Sequence, residues 1–186
     1  MRVFNGLLPE GKVYLAAPFF NPAQVGILER LELLFEAAGQ EVFNPRKDAG
    51  VGVTKKEGQT EQEEYEAWRN LFLADVGGID QCSWVLAVLD YADVNLYAAP
   101  WCLSGDDFIA TAELKPVRIP DTGTVWELGN AHAKGKPAVG FFLEERHGLL
   151  NLMLSHSLHG MCYGYEQVGQ LLSSREMYWS WKGKVQ

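Results

Sequence analysis

Apolar residues fall along this chain in two periods, and the alternation between them lays out an ordered series of strands and helices. Residues 12–17 form an almost unbroken apolar run that is closed by Pro18-Phe-Phe-Asn-Pro22, which predicts a buried strand with a sharp end. Asn21 is a good helix cap with Pro22 at the first helical position. Ile27, Leu28, Leu31, Leu34 and Phe35 then recur at helical spacing until Gly39, so a helix is predicted there. Residues 41–44 predict a second short strand, ended by Pro45. Thr60 opens a second helix, with Glu61, Glu63 and Glu64 in its first turn. It carries Tyr65, Trp68, Leu71, Phe72 and Asp75 before an expected break at Gly77-Gly78, and Asp75 is expected beside a sheet-facing stripe of Leu71 and Phe72. Residues 83–90 are apolar up to Asp90, the pattern of a central strand covered on both faces. Residues 136–143 predict a fourth strand, 149–154 a short helix or turn, 160–163 a last strand and 165–172 a final helix.

Strands alternating with helices imply a parallel sheet with right-handed crossovers. The expectation is one α/β domain over residues 1–186: an open parallel sheet of about five strands with helices on both faces, Rossmann-like or flavodoxin-like. Residues 46–59, rich in Gly, Lys and Asp, predict a mobile loop at the carboxyl edge of the second strand, and residues 91–120 an inserted segment. The aromatic stretch 177–181 is expected to pack on the core or on another subunit.

A chain of 186 residues buries a core without disulfides or a structural metal. Its net charge of −8 disfavours polyanionic partners, so no nucleic acid and no membrane surface is expected. The first residues contain no apolar signal core and no run is long enough to span a bilayer, which predicts a soluble, cytoplasmic protein. Cys82, Cys102 and Cys162 lack metal or disulfide spacing and the four histidines lack a ligand pattern, so no metal is expected. Neither a dinucleotide fingerprint, nor a phosphate loop, nor a nucleophile elbow occurs, and no cofactor is expected.

Carboxylates remain. The stretch from Asp121 to Gly135 reads as a turn, a helix capped by Thr124, and a Lys134-Gly135 stop. Glu127 stands three residues after Thr124, the spacing of a capping box, so reaching back to the cap is its simplest structural role. In a parallel sheet, however, ligands bind at the carboxyl ends of the strands. That edge collects Phe19, Asp90, Asp121, Gly123 and Glu127, with Tyr14 in the first strand and Asp75 on the neighbouring helix. Such a cleft suits a polar, ring-bearing, non-anionic ligand such as a nucleoside. Two carboxylates around a glycosidic bond can serve as nucleophile and proton donor. The helix dipole is expected to keep Glu127 ionised, and Tyr14 to orient it.

The set Tyr14-Leu-Ala-Ala-Pro-Phe-Phe20, Asp75 before Gly77-Gly78, Asp121-x-Gly-Thr-x-x-Glu127-Leu-Gly and Asn151-Leu-Met153 resembles the nucleoside 2-deoxyribosyltransferases, in the right order over almost the whole chain. The resemblance implies that Glu127 attacks C1′ of a 2′-deoxyribonucleoside to give a covalent 2-deoxyribosyl enzyme, from which a free nucleobase takes the sugar. It implies Tyr14 as the residue positioning Glu127, Asp121 and Asp75 as proton donors and acceptors to the bases, and Phe19 against the base. Asn151 and Met153 would be lent to a neighbouring subunit, so a homo-oligomer with shared sites is implied. Residues 91–120 and the tail beyond Tyr178 depart from the shorter members. Two other functions fit the same residues: an N-glycoside hydrolase of nucleosides or nucleotides, and a non-catalytic nucleoside-binding module.

Overall fold

The structure, a computed structural model, describes residues 6–50, 58–90, 92–94, 117–145, 149–178 and 184–185. In chain order the elements are β1 (Gly6–Leu7), β2 (Val13–Ala16), α1 (Pro22–Ala37), β3 (Val42–Phe43), α2 (Pro45–Asp48), α3 (Glu61–Gln81), β4 (Trp84–Val88), β5 (Ala92–Val94) and β6 (Val117–Ile119). They continue with α4 (Thr122–Ala133), β7 (Ala138–Phe142), β8 (Leu149–Leu150), α5 (Leu152–Ser157), β9 (Gly160–Tyr163), α6 (Gly164–Ser174), β10 (Glu176–Met177) and β11 (Lys184–Val185).

Five strands form one parallel sheet in the order β3-β2-β4-β7-β9. The chain steps outward from β2 to β3 and then reverses to β4, so the switch in strand order lies between β2 and β4, where such sheets open a ligand crevice. Side chains alternate across the sheet. Val13, Leu15, Trp84, Leu86 and Phe141 pack with Leu28, Leu31 and Phe35 of α1 and Val168 and Leu171 of α6. Tyr14, Ala16, Val85, Ala87 and Phe142 face the other way, onto Ile79 of α3, Leu128 and Ala131 of α4 and Leu154 of α5. Burial on both faces is why the central strands read as continuous apolar runs.

The expected cap of α1 is formed: Asn21 accepts from the Gln24 backbone N–H at 3.0 Å, with Pro22 at the helix start. Thr60 and Glu63 make a reciprocal capping box that opens α3. The predicted break at Gly77-Gly78 does not occur, and α3 runs on to Gln81. Gly78 serves a close approach instead, since a Cβ there would meet the Phe43 ring at 2.4 Å. Nor is Phe72 sheet-facing; it is exposed, and burial in α3 is confined to Gly78 and Ile79.

Part of the expected 46–59 loop is the short helix α2, while residues 51–57 lie outside the described residues. Most of the expected insertion also lies outside them, apart from an antiparallel pairing of β5 with β6. Two pairings outside the five-stranded sheet escaped the sequence reading, β1 with β10 and β8 with β11. Each is only two residues long, too short for a period to register. In the aromatic tail Met177 is buried and Tyr178 exposed, and residues 179–181 are outside the described range. No described helix is long and apolar enough to cross a membrane.

Candidate active site

α4 supplies the central carboxylate, and its start differs from the sequence reading. Asp121, not Thr124, is the N-cap: Asp121 Oδ2 accepts from the Thr124 backbone N–H at 2.8 Å and from its hydroxyl at 3.1 Å. Aspartate is among the best caps, and it stands three residues earlier. Thr124 is therefore inside the helix and the Thr-x-x-Glu capping box is not made. The far end forms as expected, at Lys134 with Gly135 at φ 70°.

Freed from capping, Glu127 turns to the sheet. The Tyr14 hydroxyl donates to Glu127 Oε1 at 2.6 Å, across 113 residues of sequence. Tyr14 is fully buried in β2 and stacks on Phe43, with ring centroids 5.5 Å apart and planes 11° off parallel. The phenol is thus clamped by its strand and a neighbouring ring, and its acidity is suppressed by burial and by the adjacent Glu127.

The expectation that the helix dipole keeps Glu127 ionised is overturned. Burial pushes its carboxyl up to about 8; the Tyr14 hydrogen bond pulls the other way, and Asp75 and Asp121 add to the rise. Glu127 sits beyond the first turn of α4, where the dipole has faded, so desolvation wins.

Asp75 reaches the same place from α3. Its Oδ1 is buried with no hydrogen-bond partner among the described residues, and burial raises its carboxyl to about 6. α3 and α4 lie side by side and parallel, joined by a Phe72–Trp126 ring contact near one end and a Lys134–Asp80 ion pair near the other. Between them opens a pocket of about 280 Å³ lined by Phe72, Asp75, Gly123, Trp126 and Glu127. Gly123 keeps room there, since a Cβ would come within 3.0 Å of Asp121 Oδ2.

Tyr14, Asp75, Gly123 and Glu127 are thus brought together, with Asp121 holding the helix start. Phe19 is not among the lining residues; it packs on the core of the opposite sheet face and against Phe20. Asp90 is buried, and its Oδ2 accepts from the Leu143 backbone N–H, tying the ends of β4 and β7. Asn151 caps α5 by accepting from the Met153 N–H at 2.9 Å, and Met153 is 76% exposed. The sequence reading missed Phe72 and Trp126 as pocket residues. Trp126 precedes Glu127 directly, which was the available signal. Among the described residues no group of three or more His, Cys, Asp or Glu is placed to hold a metal ion.

The family model for nucleoside 2-deoxyribosyltransferase matches residues 13–98. That stretch contains Tyr14, Phe19, Asp75 and Asp90 and ends before Asp121, which caps α4, and Glu127, whose place in the pocket rests on geometry. No curated protein matches the chain. Among solved structures, a 2-deoxyribosyltransferase from Bacillus psychrosaccharolyticus is 23% identical, with a TM-score of 0.59, covering 91% of this chain and 99% of that one. At that identity the likeness is one of fold. A conserved protein from Enterococcus faecalis V583 is 16% identical with a TM-score of 0.48, covering 94% of this chain and 89% of that one. A 2-desoxiribosyltransferase from Leishmania mexicana is 17% identical with a TM-score of 0.45, covering 83% and 76%.

Proposed function

We propose, taking as premise the match to the nucleoside 2-deoxyribosyltransferase family, that this chain exchanges the base of 2′-deoxyribonucleosides through a covalent glycosyl-Glu127 intermediate. The observation that carries the reading is the Tyr14 hydroxyl on Glu127, in a pocket shared with the Oδ1 of Asp75, which has no hydrogen-bond partner among the described residues. Two carboxyls pushed apart, to about 8 and about 6, hold one proton between them near neutral pH.

For reaction that proton passes from Glu127 to Asp75. The Glu127 carboxylate, held at Oε1 by Tyr14, attacks C1′ on the face opposite the base. The C1′–N bond breaks, its electron pair stays on the base nitrogen, and Asp75 protonates the departing base. In the second half a free nucleobase gives its N–H proton to Asp75 and attacks C1′, and Glu127 leaves as carboxylate. Two inversions give net retention. Asp75 is assigned the proton transfer because its Oδ1 has no donor among the described residues, whereas Asp121 Oδ2 already accepts two hydrogen bonds from Thr124. Asn151 and exposed Met153, outside this chain's own pocket lining, are read as contributions to a neighbouring subunit's site.

The test is incubation with a 2′-deoxynucleoside and a second free base, followed by chromatography. The exchanged nucleoside is the expected product. Release of free deoxyribose alone would make the chain a hydrolase, and binding without turnover would make it a binding module.

A further inference from the structure

Among the described residues three side-chain polar atoms are buried without a hydrogen-bond partner: Asp75 Oδ1, Asn130 Nδ2 and Trp84 Nε1. Trp84 packs in the core of the opposite sheet face. That leaves one acceptor on α3 and one donor on α4. Asn130 lies one helical turn from Trp126, Glu127 and Lys134, and all three look onto α3. Trp126 touches Phe72, Glu127 shares the pocket with Asp75, and Lys134 pairs with Asp80. The Phe72–Trp126 and Asp80–Lys134 contacts both join residues 54 positions apart, so between them Asn130 stands level with Val76, next to Asp75 and one turn beyond Glu127.

We propose that Asn130 is the positioning residue of Asp75: its Nδ2 donates to Asp75 Oδ1 when Asp75 is a carboxylate, leaving Oδ2 to exchange the proton with the base. The inference rests on Asp75 as the acid and base of the proposed exchange. A buried donor and a buried acceptor that each lack a partner are costly apart, and one bond between facing helices satisfies both. The outer torsion of an asparagine side chain is broad, so turning the amide toward Oδ1 costs little. A donor on Oδ1 keeps the proton on the oxygen that Asp75 presents to the pocket. The bond is stronger to a charged oxygen than to a neutral one, so Asn130 favours the carboxylate and opposes the rise caused by burial. On α3 itself the residues one turn from Asp75, namely Leu71, Phe72, Gly78 and Ile79, are uncharged. The titratable groups brought near it are Glu127 and Asp121 from α4 and Tyr14 from β2, with the Asp80–Lys134 pair further along the seam. The Tyr14 hydroxyl already donates to Glu127, and Lys134 is held by Asp80. Asn130 supplies the donor that these groups do not.

The experiment is a carboxyl ¹³C NMR titration of Asp75 in the substrate-free parent, Asn130→Leu, Asn130→Ala and Asn130→Gln, with exchange kinetics against pH in parallel. The Asp75 resonance is the one that Asp75→Asn lacks. Leu and Ala are better helix formers than Asn, so the fold is kept, which circular dichroism checks, and Ala makes the same test with a smaller side chain. Asp75 titrates about one pH unit higher in the Leu and Ala variants, and Asn130→Gln, which keeps the donor, stays with the parent. In the two apolar variants kcat falls about 10-fold with KM little changed, and the acid limb of the profile moves up with Asp75. Added to Asp75→Asn, Asn130→Leu costs nothing further. An Asp75 titration that is the same in the parent and both apolar variants overturns the proposal and, where exchange is present, leaves the transferase reading intact. So does a loss of kcat that is equal with Asp75 present and with Asp75→Asn. The expected shift of Asp75 without exchange in any of the proteins removes the transferase reading and leaves the bond.

Discussion

Tyr14 and Glu127 meet at 2.6 Å although one belongs to the second strand and the other to a helix 113 residues later. Replacing Tyr14 by Phe keeps the stack on Phe43 and deletes only the donor. Stability is expected to fall by ~1 kcal/mol, and kcat by roughly 10–100-fold with KM little changed, because the carboxylate loses its orientation. The Tyr14 bond also lowers the Glu127 carboxyl, so its loss moves the upper limb of the pH profile further up. An unchanged kcat and an unmoved limb would separate this bond from catalysis.

Glu127→Gln is expected to abolish exchange and to stabilise the protein selectively at alkaline pH. The folded carboxyl takes its proton at about 8, against 4.5 ordinarily. Between those values the folded chain holds more protons than the unfolded one. The contribution to stability is full below the lower value and is lost as pH rises through the upper one. Thermal denaturation should show a higher Tm than the parent near pH 9 and little gain near pH 4; equal gains at both would contradict the burial argument.

With Asp75 near 6 and Glu127 near 8, kcat/KM should be bell-shaped between those limbs, the active form carrying one proton on the pair. Asp75→Asn should cost roughly 10²–10⁴ in rate and leave a single rising limb. That limb falls below 8, since the Asp75 charge no longer opposes ionisation of Glu127. Nucleosides whose bases depart without protonation should lose far less. A loss equal for good and poor leaving groups would assign Asp75 to binding instead.

Asp121 can be divided into cap and carboxyl by two substitutions. Asn retains the acceptor for the Thr124 N–H, while Ala removes it and should cost ~1 kcal/mol in urea titrations. Exchange by Asp121→Asn is expected to stay within a few-fold of the parent. A collapse of exchange with stability intact would return proton transfer to Asp121.

Gly78→Ala places a methyl 2.4 Å from the Phe43 ring, which itself stacks on Tyr14. Overpacking of ~1–3 kcal/mol is expected, together with reduced kcat as Phe43 displaces Tyr14. Full stability in this variant would mean that α3 slides away without cost.

Local chemistry was enough to place most of the sheet. The central strands are buried on both faces, so their runs are apolar whatever their neighbours, and Asn21-Pro22, Thr60 with Glu63, and Lys134-Gly135 mark helix ends by groups that act within one turn. The same locality misled at Thr124 and at Gly77-Gly78. A Thr-x-x-Glu spacing says which groups can pair, but Asp121 competes for the same N–H, and a glycine pair reads as a break unless a ring is known to lie against it. Tyr14, Asp75 and Glu127 were legible as candidates from their residue types and their places at one sheet edge. Their hydrogen bond, their raised carboxyls and the opposed Phe72 and Trp126 rings were not. Desolvation and ring contact depend on what the rest of the chain puts beside a group, and only the packing of β2, α3 and α4 against one another decides that.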